Sequence, residues 1–130
     1  MLRSALLLLA FALLPPQDAV RTYGADADSP NYTADGKLKM PDDYRGWVFL
    51  TSGIDMNYDP AATAAGHSMF GNVFVNPSSY RAFRSTGTWP DKTTLVLEFR
   101  AAEDPISINK RGHTQSQEIM GMEATSKTPG

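Results

Sequence analysis

The stretch from Asn76 to Asp91 constrains the fold more than any other part of the chain, because it carries both ends of a helix. The side-chain oxygen of Asn76 can cap a helix, and Pro77 is tolerated at the first helical position. Gly87 supplies the left-handed conformation at which helices commonly stop. These residues predict a helix from Pro77 to about Ser85.

Four segments rich in β-branched and aromatic residues predict strands around this helix. They cover 47–51, 69–75, 93–99 and 118–124. Gly71, in the second segment, indicates a bulge or a close approach of the backbone. In the third segment, apolar and polar residues alternate as in a half-buried strand, with Leu95, Leu97 and Phe99 set against Thr94, Val96 and Glu98. A polar connection from 101 to 115 precedes the last strand, which residues 126–130 cannot continue.

The order of these elements is strand, strand, helix, strand, strand. It predicts an α+β fold, in which one helix packs on a mainly antiparallel β-sheet.

The N-terminus has the pattern of a secretory signal peptide. Arg3 provides a positive charge, and a wholly apolar run at 5–14 ends at Pro15. This run is shorter than the roughly 20 residues that span a bilayer as a helix. We predict a signal peptide at 1–19, with cleavage as late as residue 27 left open, and an exported protein in the periplasm or outside the cell with no stable membrane anchor. A short membrane-bound or buried N-terminal helix is the alternative.

Three further segments follow the predicted signal peptide. Residues 28–40 are rich in turn formers and lack apolar periodicity, which predicts a flexible leader. Residues 41–124 form the predicted domain, and 125–130 form a tail. At 130 residues the chain suits one small globular domain.

Composition excludes several classes of function. The net charge is −2 and the basic residues are scattered, so the chain lacks the basic stripe that nucleic-acid binding requires. It contains no cysteine. Disulfides, thiolate metal sites, a cysteine nucleophile and covalent attachment of haem c within this chain are therefore excluded.

Aromatic, polar, proline and glycine residues follow one another in a distinctive order, namely Tyr44, Arg45, Trp47, Asn76, Pro77, Tyr80, Phe83, Gly87, Trp89, Pro90 and Asp91. This order resembles that of the cytochrome P460 family. The resemblance covers 41–124. Lys92 departs from it, because the family has the glycine of a Pro-Asp-Gly turn at this point.

The resemblance implies a secreted c-type haem protein, often a homodimer, with a mainly antiparallel β fold. Well-known members oxidise hydroxylamine or handle nitric oxide at an iron whose axial histidine belongs to a C-x-x-C-H motif, and in the enzymes a lysine is also linked to the porphyrin. By resemblance, Phe70 and Phe74 line the wall of the haem pocket. On their own, these two residues are more typical of core aromatics than of a haem-pocket wall.

The chemistry of the family does not carry over to these residues. The haem motif is missing, and no lysine lies between Lys39 and Lys92. The family's strand matching 118–124 is followed by a further strand and the haem motif, so we expect an incomplete domain that carries no cofactor, is inactive alone and has no catalytic residue. His67 and His113 lack a second ligand at metal spacing, which favours solvated loop histidines over a metal site.

Three hypotheses of function remain open. The family suggests a haem redox enzyme acting on hydroxylamine or nitric oxide. The missing haem residues favour a truncated gene product. The third hypothesis is a haem-free periplasmic domain that binds an unknown small ligand or a partner in the vacated pocket.

Overall fold

A five-stranded antiparallel sheet and one α-helix make up the computed structural model, which describes residues 27–61, 66–106 and 108–128. The predicted signal peptide falls on 1–26, outside the described residues. Within them, no helix has the length and apolar character needed to cross a membrane. The predicted α+β class, with a mainly antiparallel sheet, is confirmed.

The predicted elements occur in the predicted order, and one further short strand lies between the last two. A 3₁₀ turn at Tyr44–Gly46 leads into the first strand, and the elements after it are β1 (Val48–Ile54), β2 (Met69–Val75), α1 (Pro77–Thr86), β3 (Thr94–Glu103), β4 (Thr114–Gln115) and β5 (Gly121–Ser126). Strand β2 lies between β1 and β3, and β3 also pairs with β5 and β4.

The predicted boundaries of β2 are confirmed at both ends, and α1 ends one residue later than predicted. The polar connection predicted over 101–115 is shorter than predicted, because strands occupy both of its ends. There β3 continues to Glu103, and the short strand β4 pairs with it. Strand β5 also runs through Ser126, because the backbone of Lys127 still bonds with that of Lys92 and Thr93.

Strand β1 contains a bulge that resets which of its side chains face the interior. Phe49 lies opposite Phe74, but the next paired residue, Thr51, lies opposite Val73, so Leu50 is the extra residue. Gly71 does not bulge. A Cβ on it would lie 3.3 Å from a methyl group of Leu97, which confirms the predicted close approach.

The most buried face of β3 is its more polar one. Thr94, Val96, Glu98 and Arg100 alternate along this face and are all buried, whereas Leu95, Leu97 and Phe99 opposite them are only half-buried. The apolar core on the buried face consists of Tyr44, Trp47 and Val96, with Met40, Phe74 and Ala124 packed against them. Apolar residues thus cover one part of this face, and charged side chains lie beside them.

Helix α1 is capped by a residue from outside the predicted domain. The prediction that Asn76 caps the helix with its side chain is wrong. Its oxygen instead accepts a hydrogen bond from the backbone N–H of Thr94, at the start of β3. The N–H of Ser78 donates to Oδ2 of Asp28 over 2.6 Å. Gly87 ends the helix in the left-handed conformation, as predicted.

Lys92 stands where the family resemblance calls for glycine, and its backbone has a glycine-like conformation. Its φ angle is +65°, in the left-handed region that costs an L residue about 1–2 kcal/mol. Its backbone N–H bonds to the carbonyl of Lys127, so the turn is held in place by β5.

Replacing Lys92 with glycine should therefore stabilise the protein. We expect Lys92→Gly to raise the free energy of unfolding by roughly 0.5–1 kcal/mol. Glycine relieves the backbone strain in the folded state, and its greater conformational freedom in the unfolded chain offsets part of this gain. Lys92→Ala keeps the Cβ and should leave stability nearly unchanged. Urea denaturation of the three proteins measures this, and a glycine variant no more stable than the alanine variant contradicts the strain.

Candidate functional site

A cavity of about 430 Å³ opens over the buried face of the sheet. It lies where the interior changes from the apolar core to charged side chains. Its lining consists of Arg45, Phe49, Asn72, Phe74, Glu98, Arg100, Gln115, Ser116 and Gln117. The volume falls in the range of about 300–1,000 Å³ that is usual for small-molecule sites.

Glu98 forms the floor of this cavity and is almost completely buried, with 1% of its surface exposed. Four side chains donate hydrogen bonds to its carboxylate. Oε2 accepts from the Tyr44 hydroxyl at 2.5 Å and from Arg45 at 2.7 Å. Oε1 accepts from Arg100 at 2.5 Å and from Asn72 at 3.3 Å. A buried carboxylate is tolerated only when it is paired and hydrogen-bonded in this way.

The two arginines differ in how many of their donors the protein occupies. Arg100 is buried, and besides Glu98 it bonds to the backbone carbonyls of Ser116 and Gln117. Arg45 has about half of its side chain exposed and gives one N–H group to Glu98. Its Nε and other terminal nitrogen have no hydrogen-bond partner among the described residues. Donors of a fixed positive charge are thus available at the edge of the cavity.

The charges of the cavity do not cancel. Two guanidinium groups face one carboxylate, which leaves one positive charge beside the rings of Phe49 and Phe74. These rings meet edge to face, with centroids 5.7 Å apart. The arrangement suits a small ligand that has an anionic group and an apolar part.

An amide pair closes one side of the site. Asn72 and Gln115 exchange hydrogen bonds of 2.7 and 3.1 Å, and the hydroxyl of Ser52 donates to the Asn72 oxygen. The register places Asn72 directly opposite both Ser52 and Glu98. Strand β4 is only two residues long, but it brings Gln115 into this network.

The Tyr44 hydroxyl has a raised pKa. Burial is the largest cause, since it disfavours the phenolate. The neighbouring Glu98 carboxylate raises the pKa further, because it accepts a hydrogen bond from the neutral hydroxyl and repels the negative charge of the phenolate. Tyr44 therefore remains a hydrogen-bond donor to Glu98 at neutral pH.

Some of the residues singled out in the sequence meet at this cavity, and others do not. Phe74 lines it, while Phe70 lies on the same face of β2, opposite Arg100, but does not line it. Their role in a haem pocket stays a prediction. Arg45 lines the cavity and Tyr44 bonds to its floor, so two residues of the family pattern belong to the site.

The remaining pattern residues build the scaffold. Trp47 is part of the core, and Asn76 joins the start of α1 to β3. Phe83 stacks on Trp89 with ring centroids 4.1 Å apart, and Tyr80 lies 6.5 Å from the same indole. Pro90 accepts hydrogen bonds from Thr93 in the turn that contains Lys92.

Sequence reasoning missed the floor of the site. Glu98, Arg100, Asn72 and Gln115 were not among the candidates, because each is an ordinary polar residue in its own segment. The available signal was the alternation of Val96 with Glu98 and Arg100, which places two opposite charges on one face of a central strand.

The two histidines lie away from the cavity lining. Both are exposed, and His113 is close enough to Asp55 to help lower the pKa of that carboxyl, after hydrogen bonds from Met69 and Ser68. Over residues 27–61, 66–106 and 108–128, no group of three or more His, Cys, Asp or Glu side chains is arranged to hold a metal ion.

Haem c does not fit the ligand chemistry of these residues. Its covalent attachment requires cysteine thiols, and its iron requires an axial ligand such as histidine. The 130 residues include no cysteine, and neither histidine lines the cavity. The chemistry available in the cavity is that of its own polar side chains.

Comparison with known proteins agrees with the family resemblance. A model of the cytochrome P460 family matches residues 41–129, which is more than half of the chain. A search of curated proteins finds no match.

Removing the charge of Glu98 should destabilise the fold. We expect Glu98→Gln to lower the free energy of unfolding by about 3 kcal/mol, because Arg100 would keep a buried charge without its partner. Glu103→Gln, at the exposed end of the same strand, should change it by less than about 0.5 kcal/mol. Chemical denaturation compares the two variants, and equal effects would mean that the buried ion pair contributes nothing.

The hydroxyl of Tyr44 should make stability depend on alkaline pH. Since its pKa is raised on folding, its contribution is complete below the ordinary value of 10.0 and is lost as the pH rises from there through the native pKa. The stability advantage of the unmodified protein over Tyr44→Phe should therefore shrink as the pH rises past about 10. Denaturation over a pH series measures this, and a constant difference contradicts the raised pKa.

Proposed function

We propose that this chain, which belongs to the cytochrome P460 family, is an exported, haem-free member that binds a small organic anion in the cavity over Glu98. The observation that carries the proposal is the guanidinium of Arg45, which is fixed by Glu98 at the cavity edge with donors to spare. A ligand carboxylate would accept hydrogen bonds from these donors, and its apolar part would lie against the two phenylalanine rings.

The buried Glu98 network supports recognition rather than catalysis. The carboxylate already accepts four hydrogen bonds, so it is occupied in holding Arg45 and Arg100 in position. A binding site benefits from such fixed donors, because little side-chain freedom is lost when the ligand arrives. Glu98 is thus a positioning residue in this proposal.

The proposal that the protein is haem-free depends on which residues could attach a haem or ligate its iron. The 130 residues contain no thiol for covalent attachment, and the cavity wall carries charged groups in place of an axial ligand. Export is supported by the apolar run at 5–14 after a basic residue, and members of the family are generally exported.

Calorimetric titration with benzoate tests the binding proposal, since benzoate combines a carboxylate with an apolar ring. Arg45→Gln should weaken binding by roughly tenfold or more, as expected for the loss of a charge-assisted hydrogen bond. Arg84→Gln removes an exposed arginine from α1 and should bind as the unmodified protein does.

Three results would overturn the proposal. The first is the absence of benzoate binding, and the second is equal binding by the Arg45 and Arg84 variants. The third is a stable Soret absorption after expression together with a c-type haem maturation system, which would restore the haem redox function of the family.

A further inference from the structure

Four large apolar side chains are more exposed than any others among the described residues, and they lie on two loops. Met56 is 82% exposed and Tyr58 is fully exposed, in the segment that follows β1. Ile106 and Ile108 are 65% and 86% exposed, in the connection from β3 to β4. Apolar residues scattered singly over a surface are ordinary, but a group of them marks an interaction site.

Both loops leave the same end of the sheet. Asp55, the residue after β1, exchanges hydrogen bonds with Met69, the first residue of β2. Met69 in turn lies opposite Ala101, close to the end of β3. The bases of the two loops are therefore neighbours, and the four exposed apolar side chains belong to one end of the molecule.

The connection from β3 to β4 also carries two basic side chains near its tip. Glu103 and Thr114 pair at its base, so Ile108 and the residues beside it are the farthest along the chain from the sheet. Lys110 and Arg111 follow Ile108 closely, and both are exposed. Among the residues that the structure describes, neither has an ion-pair partner. The tip thus combines apolar side chains with free positive charge.

The acidic residues of this end lie nearer to the strands or face their own backbone. Glu103 ends β3, and Asp104 follows it directly. The carboxylate of Asp55 accepts hydrogen bonds at the start of β2, and that of Asp59 accepts a backbone N–H two residues further on. A negatively charged surface that approaches the hairpin therefore meets its basic tip before its acidic base.

These side chains do not suit a stable protein interface. Such an interface takes about 800 Å² and roughly 20–30 residues from each partner, far more than four side chains on two loops supply. Projecting isoleucines beside basic groups, with an exposed tyrosine nearby, are instead the combination that binds phospholipid surfaces. The apolar side chains enter the boundary between headgroups and acyl chains, and the basic ones are attracted to anionic headgroups.

We propose that this end of the sheet docks reversibly on a phospholipid bilayer. Ile106 and Ile108 insert below the headgroups, and Lys110 and Arg111 bind lipid phosphates. None of these residues lines the cavity over Glu98, so the lipid contact is a function separate from anion binding. It is a peripheral contact and provides no stable anchor.

The test places a fluorescent reporter at the tip of the hairpin and measures its quenching by lipid. The apolar run at 5–14 can itself partition into lipid, so the readout has to be specific to position. Ile108→Trp puts the reporter at the tip. Met120→Trp is the matched control, because Met120 is also exposed but its backbone bonds to Phe99 within β3. The vesicles contain equal parts of phosphatidylglycerol and brominated phosphatidylcholine.

We expect strong quenching in Ile108→Trp and none beyond that of the unmodified protein in Met120→Trp. Within the Ile108→Trp protein, Ile106→Ser should weaken vesicle binding roughly tenfold, whereas Met120→Ser leaves it unchanged. Arg111→Gln should weaken it about fivefold. Arg84→Gln should have no effect, because α1 follows β2 at the opposite end of the sheet.

Three results would overturn the proposal. Absent quenching at position 108, or equal quenching at 108 and 120, would mean that this end does not enter lipid. Equal vesicle binding by the Ile106 and Met120 serine variants would mean that the exposed isoleucine contributes nothing. Sedimentation without lipid that shows a dimer, lost in Ile106→Ser, would mean that a second copy of the chain covers the loops. Benzoate binding by Ile106→Ser should match that of the unmodified protein, so the two proposals are tested separately.

Discussion

The buried carboxylate of Glu98 organises this structure. Its four donors come from the 3₁₀ turn, from β2 and from β3 itself, so one side chain joins three parts of the chain. A carboxylate out of contact with water carries a large desolvation cost that only good partners offset. The positions of Tyr44, Arg45, Asn72 and Arg100 follow from that requirement. Three of these side chains, Arg45, Asn72 and Arg100, line the cavity over the carboxylate.

This requirement also explains which face of the sheet is most buried. An apolar core alone would place Leu95, Leu97 and Phe99 in the interior. The fold instead gives its deepest positions to the alternate residues of β3, where Val96 packs against aromatic rings and Glu98 and Arg100 neutralise one another. A small domain with a polar interior has less apolar area to bury, so its stability depends more on the geometry of its hydrogen bonds.

Local sequence signals predicted local structure well. Pro77 and Gly87 marked the ends of α1, and the composition of 69–75 located β2 at both ends. What escaped prediction depends on residues far apart in the chain. Tyr44 meets Glu98 across 54 positions, and Asp28 caps α1 from 50 positions away. The bulge at Leu50 is also set by pairing with β2, and it reverses the side-chain alternation that period-two reasoning assumes.

The position of Asp28 bears on where this domain starts. Similarity to the family begins at Pro41, the point at which the recognisable pattern of residues also begins. Asp28 lies thirteen residues earlier, yet it is buried and bonded to the first turn of α1 and to Asn76. The physical domain is therefore longer than the homologous one. A protein fragment cut at the homology boundary would lack Asp28 and would leave the backbone N–H of Ser78, in the first turn of α1, without its acceptor.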